Sequence, residues 1–292
     1  MNLLKDRKIY FLLVVPALMF YTFSVLGPLF FGTIPLSLYK WNMLNPIAEW
    51  IGLKNYVQLF TDDPKFWGSF VLSIQIGIFT IIISNVLALS LALVLNENLF
   101  FKNAIRSMFF IPHIISSIFA ALIWVFVFTG LFPSILQSLN MDFLNISWFG
   151  TPEMAMTSIV IVTVWQSTGF LMLMYLAGLQ TIPKDVMESA YLDGVSMMQK
   201  IKQIQLPLLM PTITINLFLS IAGAFKQFDV PIALTGGGPH KSTETVAFDI
   251  YSEAFKNFNL GYSSSKAVIL LLTVCLISYI QMRWTRKREI NL

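Results

Sequence analysis

Charged residues are scarce in this chain of 292 residues, where Asp, Glu, Lys and Arg together make up 12% of the sequence. A soluble domain carries roughly 25% charged residues, so the composition excludes an ordinary water-soluble fold. Hydrophobic residues make up 56%, and the mean hydropathy is +0.72. The pI near 9.1 does not indicate a nucleic-acid partner, because the basic residues flank long apolar runs.

Cysteine is almost absent, since Cys275 is the single example. One thiol cannot form an intramolecular disulfide or a multi-cysteine metal site. The sequence also lacks paired carboxylates, a histidine cluster or an activated nucleophile placed for catalysis. We therefore predict no metal site, no catalytic residue and no enzyme activity in this chain. His113, which follows Pro112, is interpreted as a boundary residue of a membrane span.

Apolar runs recur along the whole chain, and most approach the ~18–20 residues needed to cross a bilayer. We predict an all-α membrane protein with a single transmembrane domain over residues 1–292. The first run is interpreted as an uncleaved span, because it is too long for a signal peptide and no cleavage pattern follows it. The six expected spans are 9–31, 69–95, 107–129, 155–178, 208–228 and 264–282.

The distribution of Lys and Arg predicts the orientation. Six spans place both termini on one side, and cytoplasmic loops carry an excess of Lys and Arg. With both termini in the cytoplasm, 12 of the 19 basic residues lie on that side, Lys5 and Arg283 among them. The cytoplasmic segments then carry a net charge of +6 and the outer segments −2. The polar loop 180–207 is therefore expected in the cytoplasm.

This loop carries the most informative pattern in the sequence. Helical periodicity predicts a short helix after Pro183, a turn at Gly194 just after Asp193, and a second helix over 195–205. A polar loop with this much regular structure suits docking to a partner outside the membrane. The alternative is that the loop is an amphipathic connector that binds no partner. The pattern, E-x-A-x3-G-x9-I-x-L-P, consists of Glu188, Ala190, Gly194, Ile204, Leu206 and Pro207.

The pattern resembles the EAA loop of ATP-binding-cassette (ABC) importer permeases, where a short coupling helix seats in a groove of the ATPase subunit. Ser189 stands where that family usually has Ala, a small change that leaves the docking logic intact. The resemblance implies the type I ABC importer permease fold with a cytoplasmic coupling helix. The residues it assigns to ATPase coupling are Glu188, Ser189, Ala190, Asp193, Gly194, Ile204, Leu206 and Pro207.

A second stretch, outside the membrane in the predicted topology, resembles the maltose, glycerol-phosphate and raffinose group of carbohydrate importers. It runs from Phe225 through a Gly-Gly-Gly-Pro sequence to Thr245. A nucleotide-binding loop is excluded, because such a loop has Gly directly before Lys, and here His240 precedes Lys241. We expect a sharp turn that places a segment in the outer mouth of the pore; a plain connecting turn is the alternative. The turn residues are Gly236, Gly237, Gly238 and Pro239.

Two predicted spans each carry a polar face, with neighbours spaced three or four residues apart. Polar groups are costly inside spans, and hydroxyls and amides beside aromatic rings suit a sugar. We therefore predict a solute pathway along these faces, where the resemblance also places solute contacts. The alternative is that these groups only hold helices together. The faces are Thr163, Gln166, Ser167 and Phe170, and then Asn216, Ser220, Gly223 and Gln227.

The resemblance also implies an assembly. This chain would be one permease subunit in the bacterial inner membrane, surrounded by lipid and paired with a second, homologous permease. Two ABC ATPase subunits would bind ATP and Mg, so no cofactor is expected in this chain. An extracytoplasmic binding protein would deliver a sugar, expected to be an oligosaccharide. An acidic or phosphorylated sugar stays open, as does an ion-coupled secondary carrier, although no charged residue is predicted deep in a span.

Overall fold

The computed structural model describes residues 7–45, 47–97, 100–141 and 146–289. Lys5, which the predicted orientation counts as cytoplasmic, lies outside the described residues. The described residues are mostly helical, and their α-helices are numbered here in chain order. They are α1 Arg7–Tyr21, α2 Ile34–Leu36, α3 Lys54–Thr61, α4 Pro64–Asn96, α5 Lys102–Ile114, α6 Ser117–Phe126, α7 Phe132–Ser138, α8 Pro152–Gln180, α9 Lys184–Leu192, α10 Met197–Gln199, α11 Leu206–Leu208, α12 Met210–Phe225, α13 Asp229–Leu234, α14 Val246–Tyr251 and α15 Leu260–Arg286.

Several helices are extended by π-helical turns, and one small sheet is present. The sheet pairs β1 Tyr39–Lys40 with β2 Glu49–Trp50 in antiparallel register, with Tyr39 opposite Trp50. The π-helical segments are Thr22–Leu26, Pro28–Thr33, Val127–Leu131, Lys200–Gln205 and Ser252–Lys256.

Among the described residues, five helical stretches are long and apolar enough to cross a membrane, and a bent pair makes a sixth if it counts as one span. The pair joins Met197–Leu208 to Met210–Phe225 at an angle of 70°. The expected spans 9–31, 69–95, 155–178 and 264–282 each overlap one of the five. The five stretches are Val14–Leu36, Pro64–Asn96, Ser117–Ser138, Pro152–Gln180 and Leu260–Arg286.

The expected third span, 107–129, has the wrong bounds. Helix α5 ends at Ile114, and the next two residues are extended, with ψ of 134° and 137°. Pro112 contributes to this end, because it has no N–H to donate to the helix and its ring crowds the preceding turn. The apolar stretch that can cross a membrane begins after the break, at Ser117.

The expected fifth span, 208–228, is also not a straight helix. The chain bends at Leu209, and Pro207 and Pro211 flank the bend. Each proline removes a backbone donor from the helix, which favours a break there. The apolar helix after the bend is α12, which ends at Phe225, before Gln227.

The described residues divide into two compact units. The first comprises residues 1–66 and 249–272, and the second comprises residues 67–248 and 273–292. In the second unit, glycines allow close approach of helices. A Cβ atom at Gly169 of α8 would overlap the carbonyl oxygen of Phe109 in α5, and one at Gly178 would overlap the Thr212 hydroxyl in α12. These positions hold α5 and α12 against α8.

In the first unit, a group of charged side chains is buried, which we call the Lys266 cluster. The ammonium of Lys266 is 1% exposed and lies 2.7 Å from Asp249, 2.9 Å from Asp63 and 3.8 Å from Glu253. Lys65 pairs with the second oxygen of Asp249 at 2.8 Å. Asp63 also caps α4 by accepting from the Phe66 amide at 2.8 Å. The cluster is completed by Tyr262, whose hydroxyl donates to Asp63 at 2.8 Å.

Candidate solute cavity and coupling loop

A cavity of about 410 Å³ lies within the second unit. Residues of α4, α5, α6, α8, α12 and α13 line it, together with the residues between α12 and α13. Most residues of the two predicted polar faces meet there. They are Thr163, Gln166, Ser167 and Phe170 from α8, and Ser220, Gly223 and Gln227 from α12 and the residues that follow it.

The polar side chains of α8 are held by hydrogen bonds to backbone carbonyls. Thr163 donates to the carbonyl of Ile159 at 2.8 Å, and Ser167 donates to the carbonyl of Thr163 at 2.8 Å. Gln166 donates to the carbonyl of Ile115 at 3.1 Å, which satisfies a backbone group at the break between α5 and α6. The face is therefore fixed in orientation towards the cavity, with oxygen lone pairs left to accept further bonds.

The second wall of the cavity is tied to the first. Gln227 donates from its amide nitrogen to the hydroxyl of Thr163. Ser220 donates to the carbonyl of Asn216 at 2.7 Å and accepts from Asn85 of α4 at 3.0 Å. A Cβ atom at Gly223 would meet nothing within 4 Å, so this glycine leaves open space in the wall.

Asn216 shares the predicted face but does not line this cavity. Its side chain is fully buried and donates to the carbonyl of Leu171 at 3.3 Å. This contact joins α12 to α8, which is the helix-packing alternative of the sequence analysis. The i, i+3, i+4 spacing identifies residues that share a face. It does not show which of them line a cavity and which pack against another helix.

Several lining residues were not predicted from the sequence. His113 lines the cavity, and its ring stacks on Phe170 with centroids 4.7 Å apart and planes at 17°. Thr80 and Ser84 of α4 also line it. A signal for α4 was present, because Ser73, Gly77, Thr80 and Ser84 follow the i, i+4, i+7, i+11 spacing of one face. No comparable signal pointed to His113. The other unpredicted polar or charged lining residues are Ser117, Lys226 and Asp229.

Two oxygen atoms in the cavity wall have no hydrogen-bond partner among the described residues. They are the hydroxyl of Thr80, a residue 6% exposed, and the amide oxygen of Gln227. A buried polar atom without a partner costs ~1–3 kcal/mol. Both oxygens are buried beneath other atoms of the wall, so a solute in the cavity does not contact them in this structure.

The coupling-loop residues form a helix, a turn and a second helix, as the sequence predicts. Helix α9 ends near Asp193, whose amide donates to the carbonyl of Ser189 at 3.0 Å. Gly194 has φ of +67°, the left-handed conformation that glycine adopts without strain. Ser196 then caps α10 in a reciprocal capping box with Gln199. The second helix runs on through Leu208, three residues beyond the expected end at 205.

One face of this loop is exposed and partly apolar. Leu192 is 90% exposed, and Met197 and Met198 are 60% and 59% exposed. Of the residues assigned to ATPase coupling, Glu188, Ser189, Asp193 and Gly194 are exposed, Ala190 is buried, and Ile204, Leu206 and Pro207 are half-buried.

The buried side of the second helix is fixed to the end of α4. Lys200 is 8% exposed, and its ammonium lies 3.0 Å from the carboxylate of Glu97. Burial of the lysine favours this pairing, because an unpaired buried charge is costly. The ion pair between Lys200 and Glu97 therefore joins the loop to the end of α4.

The glycine-rich stretch forms a tight turn. Gly236 and Gly237 have φ of +60° and +91°, and a Cβ atom at Gly237 would lie 2.9 Å from Glu244. The hydroxyl of Thr243 closes the turn by donating to the carbonyl of Gly238 at 2.8 Å. Glycine is required here for both conformation and space, and Pro239 follows through a cis peptide bond.

The described residues combine helices long and apolar enough to cross a membrane, a largely apolar cavity that carries polar side chains, and an exposed helical loop, a combination that suits a transport subunit of the membrane. Residues 84–290 match the family described as "Binding-protein-dependent transport system inner membrane component". The chain belongs to this family. The match confirms the resemblance to ABC importer permeases that the loop pattern predicted.

Curated relatives match over nearly their whole length. The chain is 34% identical to the probable starch degradation products transport system permease protein AmyD of Thermoanaerobacterium thermosulfurigenes, covering 97% of this chain and 96% of that protein. It is also 34% identical to the trehalose/maltose transport system permease protein MalF of Thermococcus litoralis, covering 94% and 92%. These relatives are named as permeases, which confirms that the chain is a transport subunit rather than an enzyme.

A solved structure shares the fold. A chain from the crystal structure of a bacterial ABC transporter involved in the import of the acidic polysaccharide alginate superposes with a TM-score of 0.81, at 21% identity. The match covers 98% of this chain and 99% of that one. The fold of the described residues is therefore that of a type I ABC importer permease.

Proposed function

We propose that this chain is a permease subunit of an ATP-driven, binding-protein-dependent sugar importer and forms half of its translocation pathway. The observation that carries the proposal is the cavity in the second unit, in which two predicted polar faces meet around a stacked aromatic pair. Hydroxyls, amides and aromatic rings together suit a sugar, which has polar hydroxyls and apolar ring faces. The relatives named for starch products, trehalose and maltose support the same substrate class.

The loop 183–207 docks an ABC ATPase subunit in this proposal. Its exposed apolar side chains offer contact area, and its ion pair to Glu97 transmits force to α4. An exposed apolar patch rimmed by polar residues is typical of a protein interaction site. The loop then lies in the cytoplasm with both termini, as the Lys and Arg distribution favours.

The family match supports the rest of the proposed assembly. A second, homologous permease supplies the other half of the pathway, and two ATPase subunits bind ATP and Mg outside this chain. An extracytoplasmic binding protein delivers an oligosaccharide to the outer mouth, where the Gly236–Pro239 turn lies in the predicted topology. The assembly resides in a bacterial inner membrane.

A phosphorylated solute is the second candidate. The chain is 30% identical to the sn-glycerol-3-phosphate transport system permease protein UgpA of Agrobacterium fabrum, over 82% of each chain. Lys226 in the cavity wall offers one positive charge for such a solute.

Charge reversal at Glu188 tests the docking loop. We expect Glu188→Lys to abolish sugar uptake while the complex still reaches the membrane, because an exposed residue of α9 contributes little to folding. Glu153→Lys is the matched control, since Glu153 is an exposed acid in the first turn of α8, outside the loop. Uptake by Glu188→Lys at the wild-type rate, with uptake that also survives ATP depletion, would contradict the proposal in favour of an ion-coupled carrier.

The assembly is tested by affinity purification of the tagged chain in mild detergent, followed by mass spectrometry. We expect an ABC ATPase and a second permease in near-equal amounts. A chain that purifies alone or only with copies of itself contradicts the heterodimeric importer.

A further inference from the structure

We infer that His113 contacts the transported solute and that this solute is an uncharged sugar. The inference rests on the proposed function and deepens it, because the sequence and the relatives leave neutral and acidic sugars open. Its evidence is the stacked ring pair, the hydroxyls beside it and the charges of the cavity wall.

The geometry of His113 fits a contact residue. Its ring is held between Phe170, at 4.7 Å and 17°, and Phe110, at 5.9 Å and 35°. The two stacked rings are on α5 and α8, which pack closely against each other at Gly169. His113 is nevertheless exposed, so part of its imidazole faces the cavity. The ring is thus both oriented by its neighbours and open to a ligand.

The surroundings of His113 match the two kinds of surface on a sugar. A flat aromatic pair offers the apolar area on which a sugar ring can pack. The hydroxyls of Ser167 and Ser220 line the same cavity. Sugar hydroxyls can donate to these oxygens, because each has lone pairs left to accept further bonds.

The charges of the wall disfavour an anionic solute. Among the described lining residues, Lys226 and Asp229 are the ones with a formal charge when His113 is neutral, and they have opposite signs. Both are exposed, so neither is held in an enclosed site. An anion leaving water needs a compensating positive charge, and the lysine is offset by the aspartate. An uncharged sugar has no such requirement.

The test uses the complete transporter in cells that otherwise lack it, with labelled maltotriose and raffinose as neutral probes and trigalacturonate as the acidic probe. We expect wild-type uptake of a neutral probe and none of trigalacturonate. His113→Ala should raise the KM for that neutral probe about tenfold with kcat unchanged, as loss of a ground-state contact does. The KM of His113→Phe should lie between those of wild type and His113→Ala, because this variant keeps the ring stack and loses the ring nitrogens.

The matched control is His240→Asn, which changes the other of the chain's two histidines. His240 is exposed in the turn after Pro239 with φ of 52°, a conformation that Asn tolerates. This variant should match wild type, and the amount of assembled complex should be equal in all variants. Unchanged KM in His113→Ala overturns the contact, and import of trigalacturonate overturns the uncharged class. Import of neither class by wild type contradicts the proposed function itself, and this inference with it.

Discussion

The two units of the chain differ in how their buried polar groups are satisfied. In the first unit, the Lys266 ammonium has three carboxylates within 4 Å, and Asp249 is paired through both oxygens. In the second unit, the cavity wall contains buried oxygens of Thr80 and Gln227 without partners among the described residues. Charges that satisfy one another stabilise the fold of the first unit, whereas the unpartnered oxygens of the second unit are uncharged groups buried in the wall of the cavity.

The free-energy cost of burying an unpaired group explains why the two units satisfy their polar groups differently. An unpaired buried charge costs far more than an unpaired hydroxyl. A cavity that must be empty in part of a transport cycle can tolerate unpaired hydroxyls and amides at low cost, and the two charged residues of its wall, Lys226 and Asp229, are exposed rather than buried. This difference predicts opposite results for mutations in the two places, with the largest effects on stability in the Lys266 cluster.

The largest expected effect is that of Lys266→Met. Loss of one partner from a buried ion pair costs ~3–5 kcal/mol, since Asp249 and Asp63 lose the ammonium that lies within 3 Å of both. We expect the free energy of unfolding of the first unit to fall by that amount, measured by denaturant unfolding in detergent. Lys40→Met, at an exposed lysine of the same unit, should be close to neutral. Equal stability of the two variants would show that the cluster does not stabilise the fold.

Gln227→Leu should have a smaller effect on stability and a clear effect on transport. The change removes the donor to Thr163 and the open amide oxygen together. We expect uptake efficiency to fall about tenfold, which corresponds to ~1.4 kcal/mol, with the free energy of unfolding within ~1 kcal/mol of wild type. Gln58→Leu, at an exposed glutamine of α3, is the control. Wild-type uptake by Gln227→Leu would remove Gln227 from the pathway.

Thr80→Val sharpens the comparison within the second unit. The hydroxyl of Thr80 has no partner among the described residues, whereas the hydroxyl of Thr214 lies 2.9 Å from the Met210 carbonyl and 2.8 Å from Glu289. We expect Thr80→Val to raise the free energy of unfolding by ~1 kcal/mol, because it removes an unsatisfied buried hydroxyl, and to lower uptake about threefold; Thr214→Val should lose ~1 kcal/mol of stability. Thermal unfolding and initial uptake rates measure the two effects. A larger stability loss in Thr80→Val than in Thr214→Val would contradict the assignment.

The smallest expected effect is a pH dependence of the first unit. Burial opposes ionisation of Asp63, but hydrogen bonds from Lys266, the Phe66 amide and Tyr262 outweigh it and hold the pKa of Asp63 below its usual 3.8. A lowered pKa in the folded state stabilises the fold above pH 3.8, and this contribution is lost as the pH falls through the folded pKa. Thermal unfolding of wild type and Asp63→Asn at decreasing pH should show a steeper decline in wild type. Parallel curves of thermal stability against pH for the two proteins would contradict a lowered pKa of Asp63.

The sequence predicts helix faces better than helix ends. Polar spacing on α8 identified four residues that line one cavity, because a straight helix keeps residues three and four apart on one side. The break after Ile114 and the bend at Leu209 were missed, since a proline signals a weakened helix but not the residue at which it ends. Cavity residues near these points, His113 foremost, were missed for the same reason.

The Lys266 cluster could not be predicted from local sequence. Lys266 lies near the start of the expected last span, 264–282, and it is fully buried in the second turn of α15. Its partners Asp63 and Asp249 are distant in the chain, and a single sequence does not show which acid will meet which base. The same limit applies to the pairing of Lys200 with Glu97.

The bend at Leu209 makes the loop and α12 the two arms of a lever. At ~1.5 Å per residue, Met197–Leu208 is ~18 Å long and Met210–Phe225 is ~24 Å long. The pivot, Leu209, is fully buried. We expect a rigid pair to turn about this pivot, so that a shift of ~3 Å at Met197 becomes one of ~4 Å at Phe225. Spin labels at these two ends should then keep a constant separation with and without ATP. The ratio of the arms is about 1.3, so in the proposed assembly a movement that the ATPase imposes at Met197 reaches the cavity end of α12 enlarged by about a third.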